Sequence, residues 1–121
     1  MRLSAIDAVR GINSPSIELD YIINHSKSVG LIIQSNLIWE KLENKEKLLK
    51  DLKFIINFED FSDNGILSWE EFLRFGNKIS SVSYTSEVDK CSINDVATIL
   101  YTSGTTGKPK GVPLTLSLIH I

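Results

Sequence analysis

Apolar residues recur along this chain in two rhythms. After Ser14-Pro15, which offers an N-cap and a first helical position, Ile17, Tyr21, Ile22 and Ile23 fall at helical spacing. Residues 29–33 are instead a continuous run rich in branched side chains, the pattern of a strand buried on both faces. Asn36 then caps a second predicted helix, whose wet face carries Glu43–Lys47 and Glu46–Lys50 pairs at i,i+4. Residues 54–58 predict another strand, and residues 69–75 a short helix with Trp69, Phe72 and Leu73 turned inward. Residues 80–90 are polar and aperiodic and read as a loop, and residues 96–101 are the last predicted strand. Strands alternating with helices in this way predict an α/β fold with a doubly wound, mainly parallel sheet.

Directly after that last strand stands Tyr101-Thr102-Ser103-Gly104-Thr105-Thr106-Gly107-Lys108-Pro109-Lys110-Gly111-Val112. Hydroxyls, backbone N–H groups and two ammonium groups are gathered there in a stretch suited to a polyphosphate. Its glycines let the backbone approach an anion without a Cβ in the way, and Pro109 stiffens the exit. A plain Gly/Ser/Thr linker seldom sets two lysines around a proline after a buried-looking strand. A nucleotide-triphosphatase P-loop needs Gly, four residues, then Gly-Lys-Ser/Thr. Here Pro109 follows Gly107-Lys108, and Thr102 stands where the first glycine belongs, so this is a different phosphate loop.

The twelve positions resemble, without departure, the phosphate-loop motif of the adenylate-forming enzymes: acyl-CoA synthetases, peptide-synthetase adenylation domains and luciferases. Upstream, Ala5-Ile6-Asp7-Ala8-Val9-Arg10-Gly11, Glu18-Leu19-Asp20-Tyr21-Ile22-Ile23-Asn24-His25-Ser26 and Val29-Gly30-Leu31-Ile32 look like the long-chain acyl-activating branch. The Val-Arg-Gly and Asn-His-Ser pieces are most similar to the acyl-acyl-carrier-protein synthetases of cyanobacteria and plastids. The likeness runs over residues 5–115 and is loosest between 36 and 92. It implies part of the large N-terminal AMP-binding domain over residues 1–115, with the phosphate loop at 101–112 and an incomplete parallel sheet.

It also implies two half-reactions. A long-chain fatty acid carboxylate attacks the α-phosphorus of ATP, and the phosphopantetheine thiol of coenzyme A or an acyl carrier protein then displaces AMP from the acyl-adenylate. ATP and Mg2+ are the expected cofactors, the latter with no dedicated ligand visible. Thr102, Ser103, Gly104, Thr105, Thr106, Gly107, Lys108, Lys110 and Gly111 are the implied ATP phosphate-binding residues, with Lys110 directed at the β- and γ-phosphates. The adenine and acyl pockets, the ribose-holding acidic motif, the hinge and the late lysine lie downstream in the family. The chain is accordingly read as an internal fragment, with no catalytic residue of its own, weakly stable and inactive alone. Residues 116–121 depart from the family pattern and are read as a non-native tail from cloning or assembly.

One stretch supports a competing reading. Asp60, Ser62, Asn64, Ser68 and Glu71 fall at ligand positions 1, 3, 5, 9 and 12 of an EF-hand calcium loop, with Gly65 at its turn. Against it, only Asp60 and Glu71 bring charge, no second loop pairs with it, and the residues before it favour a strand over a helix.

Composition adds bounds. With 121 residues, 42% hydrophobic and 23% charged, the chain suits one globular domain, and a net charge of −2 gives no reason to expect nucleic acid. Cys91 is the only cysteine, so no internal disulfide exists, which suits a reducing cytoplasm. No apolar run is long enough to span a bilayer, and no secretory signal is visible. A fatty-acid substrate would suit peripheral membrane contact, for which no residue argues. His25 reads as a helix-end residue, Arg10 as a surface or loop-anchoring arginine that could also touch an anion, and Trp39 and Trp69 as packing residues.

Overall fold

The computed structural model describes residues 5–11, 13–59, 61, 63–78, 91–102 and 107–119. Along them run β1 (Asp7–Val9), α1 (Ser16–His25), β2 (Gly30–Ile33), α2 (Asn36–Lys41), α3 (Lys45–Asp51), β3 (Phe54–Asn57), β4 (Leu67–Ser68), α4 (Trp69–Gly76), β5 (Val96–Thr102), β6 (Lys110–Thr115) and α5 (Leu116–Ile119). The fold is α/β, with two three-stranded sheets ordered β1-β5-β6 and β2-β3-β4. Pairing is mainly parallel, as expected: β1 with β5, β2 with β3 and β3 with β4, while β5 and β6 are antiparallel. The chain divides into two compact units, Gly11–Lys78 and the pair of segments Met1–Arg10 with Ile79–Ile121.

Within the Gly11–Lys78 unit, Ile33, Trp39, Leu42, Leu48, Ile55 and Ile66 form the buried core, with Leu19, Ile23, Leu31, Ile38, Leu52 and Phe61 packed against it. Each branched side chain taken fully from water there contributes about 1.5–3 kcal/mol. β2 departs from the expectation of burial on both faces. Ile33 is 2% exposed but Ile32 is 55% exposed, because β2 is an edge strand whose second face carries little cover in this unit. The ring of Phe54 lies over Gly30, its partner across the β2–β3 ladder, where a side chain on residue 30 would collide with it.

Helix boundaries also move. Pro15, with φ −59 and ψ 148, is the N-cap of α1, so Ser16 rather than Pro15 is its first helical residue. Ser35 occupies the N-cap of α2 in place of the predicted Asn36. The single second helix is two, since Leu42 turns extended (φ −74, ψ 134) to bury its side chain, and the helix restarts at Lys45. Glu43 therefore lies outside the helix and accepts from Ser16 Oγ, while Lys47 Nζ donates to Asn24 Oδ1. Packing of one leucine has overridden a run of good helix formers. Helix α4 forms as predicted, extended by Gly76, but Phe72 and Leu73 are 39% and 49% exposed, so its apolar side is only partly covered in this unit. Trp69 meets Phe58 edge-on at 4.8 Å and Phe72 at 5.5 Å.

In the other unit, β5 is flanked by β1 on one side and β6 on the other. Strand β6 was not foreseen, since Lys110, Gly111 and Pro113 favour a loop by composition. Pro113 is tolerated because β6 is an edge strand, where a missing N–H need not break a ladder. Residues 80–90, read as a loop, lie outside the described residues. Backbone bonds tie α5 to the approach of β5: Leu116 N donates to Asp95 O (3.0 Å) and Ser117 N to Ile93 O (2.8 Å).

Candidate functional site

The phosphate-loop stretch is the connection of a β-hairpin. Tyr101 pairs with Gly111 and Thr102 with Lys110, so the ladder closes at the threshold of residues 103–109. Ser103, Gly104, Thr105 and Thr106 lie outside the described residues. Thr102 and Lys110 are directly opposed and therefore project from the same face of the hairpin, a hydroxyl beside an ammonium at the base of the loop. Both are exposed, as is Lys108, whereas Pro109 between the lysines is buried. A buried proline flanked by exposed lysines anchors the returning strand while leaving both cations open to solvent. Gly107 has φ +86, a left-handed conformation in which a side chain would be strained, so the loop turns there.

The opposite face is packed. Tyr101 is 6% exposed, and its ring covers Gly111, where a Cβ would lie 3.1 Å from Cζ and 2.9 Å from Ile99 Cγ2. The glycine thus makes room for the ring. At the other side of β5, Val9 pairs with Leu100, and the next residue, Arg10, donates from Nη1 to Tyr101 O at 3.0 Å. Of the readings open for Arg10, this contact fits the loop-anchoring one, and the anchor falls on the last buried residue before the loop. The contact was not legible in detail, because the two residues stand 91 positions apart. In parallel α/β sheets ligands gather beyond the carboxyl ends of strands, and both Arg10 and the loop follow such ends here.

The hairpin thus carries the twelve-residue motif between two paired strands, and the comparisons supply the family. The AMP-binding enzyme family matches residues 1–120. The chain belongs to that family. Among its relatives, long chain acyl-CoA synthetase 3 of Arabidopsis thaliana is 36% identical, over 85% of this chain and 16% of its own length. The chloroplastic long-chain-fatty-acid–[acyl-carrier-protein] ligase AEE15 of the same plant is 31% identical, over 99% of this chain and 19% of its length. The anthranilate CoA ligase AuaEII, solved with anthranoyl-AMP, superposes with a TM-score of 0.68 at 21% identity, covering 95% of this chain and 21% of that one, a likeness of fold. The chain spans less than a fifth of the length of either plant relative.

The calcium reading loses its structural basis. The segment entering the loop is strand β3, not the helix an EF-hand requires. Asp60 and Ser62 lie outside the described residues. Glu71 is committed elsewhere: its Oε2 accepts from Ser68 N (2.9 Å) while Ser68 Oγ accepts from Glu71 N (3.2 Å), a capping box that starts α4. The spacing taken for ligands 9 and 12 is that of a helix N-terminus. Asn64 is exposed, and Lys53 lines the same open cavity of about 670 Å³ as Asn64 and Glu71, bringing a cation where calcium needs anions. Among the described residues, no group of three or more His, Cys, Asp or Glu is placed to hold a metal ion, and no helix is long and apolar enough to cross a membrane.

Proposed function

We propose that this chain is the phosphate-binding portion of an ATP-dependent ligase that activates a long-chain fatty acid as its acyl-adenylate and passes the acyl group to a phosphopantetheine thiol. The observation that carries this reading is the hairpin closure at Thr102 and Lys110, which sets a hydroxyl and a cation side by side at the mouth of the family's phosphate loop. In the first half-reaction a carboxylate oxygen attacks the α-phosphorus and pyrophosphate leaves. Charge grows on the bridging oxygen and on pyrophosphate, so donors already fixed in place lower the barrier without reorganising. Lys110 acts toward the β- and γ-phosphates, Lys108 adds an open cation, and the hydroxyls of Thr102, Ser103, Thr105 and Thr106 with the amides of Gly104 and Gly107 complete the donor set. Gly111 admits the Tyr101 ring that holds the hairpin. Mg2+ bound together with the ATP would supply charge shielding to its phosphates.

In the second half-reaction a thiol displaces AMP. Both kinds of acceptor, coenzyme A and acyl carrier protein, appear in the names of the plant relatives. The catalytic cycle is assigned to a polypeptide of the relatives' length, of which this chain spans less than a fifth, and the 121 residues alone are expected to be inactive. The test is ATP–pyrophosphate exchange by the complete enzyme, which should depend on a long-chain fatty acid. Lys110→Ala should lower exchange by about 10–100-fold, as expected when a charge-assisted contact is removed. Exchange that ignores fatty acid, or that survives Lys110→Ala undiminished, refutes the reading. Release of AMP with coenzyme A alone, or with acyl carrier protein alone, identifies the acceptor.

A further inference from the structure

We propose that Arg10 is a positioning residue for ATP: its guanidinium, by holding Tyr101 O, fixes the direction in which β5 delivers the phosphate loop. The inference rests on the phosphate-loop reading above and adds a residue that lies outside the loop motif. β1 is only three residues long and pairs with β5 through Asp7–Thr98, Ala8–Ile99 and Val9–Leu100. The ladder thus stops at Leu100, one residue short of the carbonyl that Arg10 takes. Arg10 Nη1 donates to Tyr101 O at 3.0 Å in a partly buried setting and extends the tie from β1 by one residue. On the far side, Tyr101 is held by its pairing to Gly111 and by the packing of its ring. The residue before the loop is therefore gripped from both neighbours, and Thr102 leaves it in one direction.

A charged donor suits this task. Guanidinium-to-carbonyl bonds are stronger than neutral ones, and the planar group loses little freedom in making them. The neighbour on the other side, β6, is an edge strand, so a tie from the β1 side steadies the end of β5. Displacements of about 1 Å in a loop of donors are enough to weaken binding and catalysis substantially.

Because the loop holds the same phosphates in ATP and in pyrophosphate, loosening it should raise KM for both and leave KM for the fatty acid unchanged. A residue with only a structural part would lower the active fraction, and hence apparent kcat, with every KM intact. The experiment is ATP–pyrophosphate exchange on the complete enzyme, comparing wild type with Arg10→Ala, Arg10→Lys and Arg10→Gln. Expected for Arg10→Ala are rises of roughly tenfold in KM for ATP and for pyrophosphate, and less than a twofold change for the fatty acid. Arg10→Lys and Arg10→Gln, which retain a donor, should recover part of the loss, and Lys more than Gln. Unchanged KM for ATP, equal rises for all substrates, or a set of variants that yields no folded enzyme would each overturn the proposal. Wild-type enzyme without fatty-acid-dependent exchange brings down the functional reading itself. A normal wild type with indifferent Arg10 variants brings down only this inference.

Discussion

Replacing Gly111 by alanine tests whether the Tyr101 ring, rather than the anion alone, requires a glycine there. The added Cβ would lie 2.9 Å from Ile99 Cγ2, 3.1 Å from Tyr101 Cζ and 3.3 Å from Tyr101 Cε1. Neither neighbour yields easily. Cγ2 is bonded to the branched Cβ of Ile99 and moves only with χ1 or the backbone, and the Tyr101 ring is 6% exposed. Overpacking of this kind costs about 1–3 kcal/mol. Alanine also narrows the unfolded ensemble, which returns about 0.4–1 kcal/mol at a position free of backbone strain. The net loss is about 1.3 kcal/mol at the midpoints of these ranges, a factor of roughly 9 in local opening. Amide hydrogen exchange of the β5–β6 ladder in the complete enzyme reads that factor directly. Adding Ile99→Ala removes the closest obstacle, so the double variant should be more stable than the two single losses sum to, by more than about 0.5 kcal/mol. Wild-type exchange rates in Gly111→Ala, or strict additivity in the double variant, would refute the packing explanation.

Other changes follow from the Gly11–Lys78 unit. Ile55→Ala, at 1% exposure in the core, should cost about 2–5 kcal/mol in urea denaturation followed by tryptophan fluorescence, whereas Ile32→Ala, at 55% exposure, should cost under about 0.5 kcal/mol in the chain alone. Equal losses would mean that the exposed face of β2 is covered after all. Ser68→Ala removes the acceptor for Glu71 N and half of the capping box, and should lower stability by about 1 kcal/mol with faster amide exchange in the first turn of α4. Millimolar calcium should leave Trp69 fluorescence and helix content unchanged, and a saturable response would revive the calcium loop.

The elements readable in advance were those whose cause is local. The branched runs that became β2, β3 and β5 carry their signal in consecutive letters, and α4 carries it in Trp69, Phe72 and Leu73. The family was readable for a similar reason, since its twelve-residue motif gathers glycines, hydroxyls and two lysines in consecutive positions. What consecutive letters left undecided, or got wrong, has distant causes. Ser68 and Glu71 satisfy both the spacing of a calcium loop and that of a capping box, and only the strand ahead of them and their reciprocal bonds decide between the two. Leu42 ends α2 because the core needs its side chain, a demand no helix propensity contains.

What the sequence determined by itself is the family's twelve-residue loop, the α/β alternation and the absence of an internal disulfide, because each depends on residue identity over short spans. Tertiary structure alone decided that Lys110 begins a strand, that Thr102 and Lys110 share a face, that Tyr101 needs Gly111, and that Arg10 reaches the loop's stem. The physical reason is sequence separation. A free strand edge on β5 recruits a lysine-, glycine- and proline-bearing segment into a ladder that its own propensity disfavours, and a guanidinium 91 residues away finds a carbonyl only once β1 and β5 lie side by side.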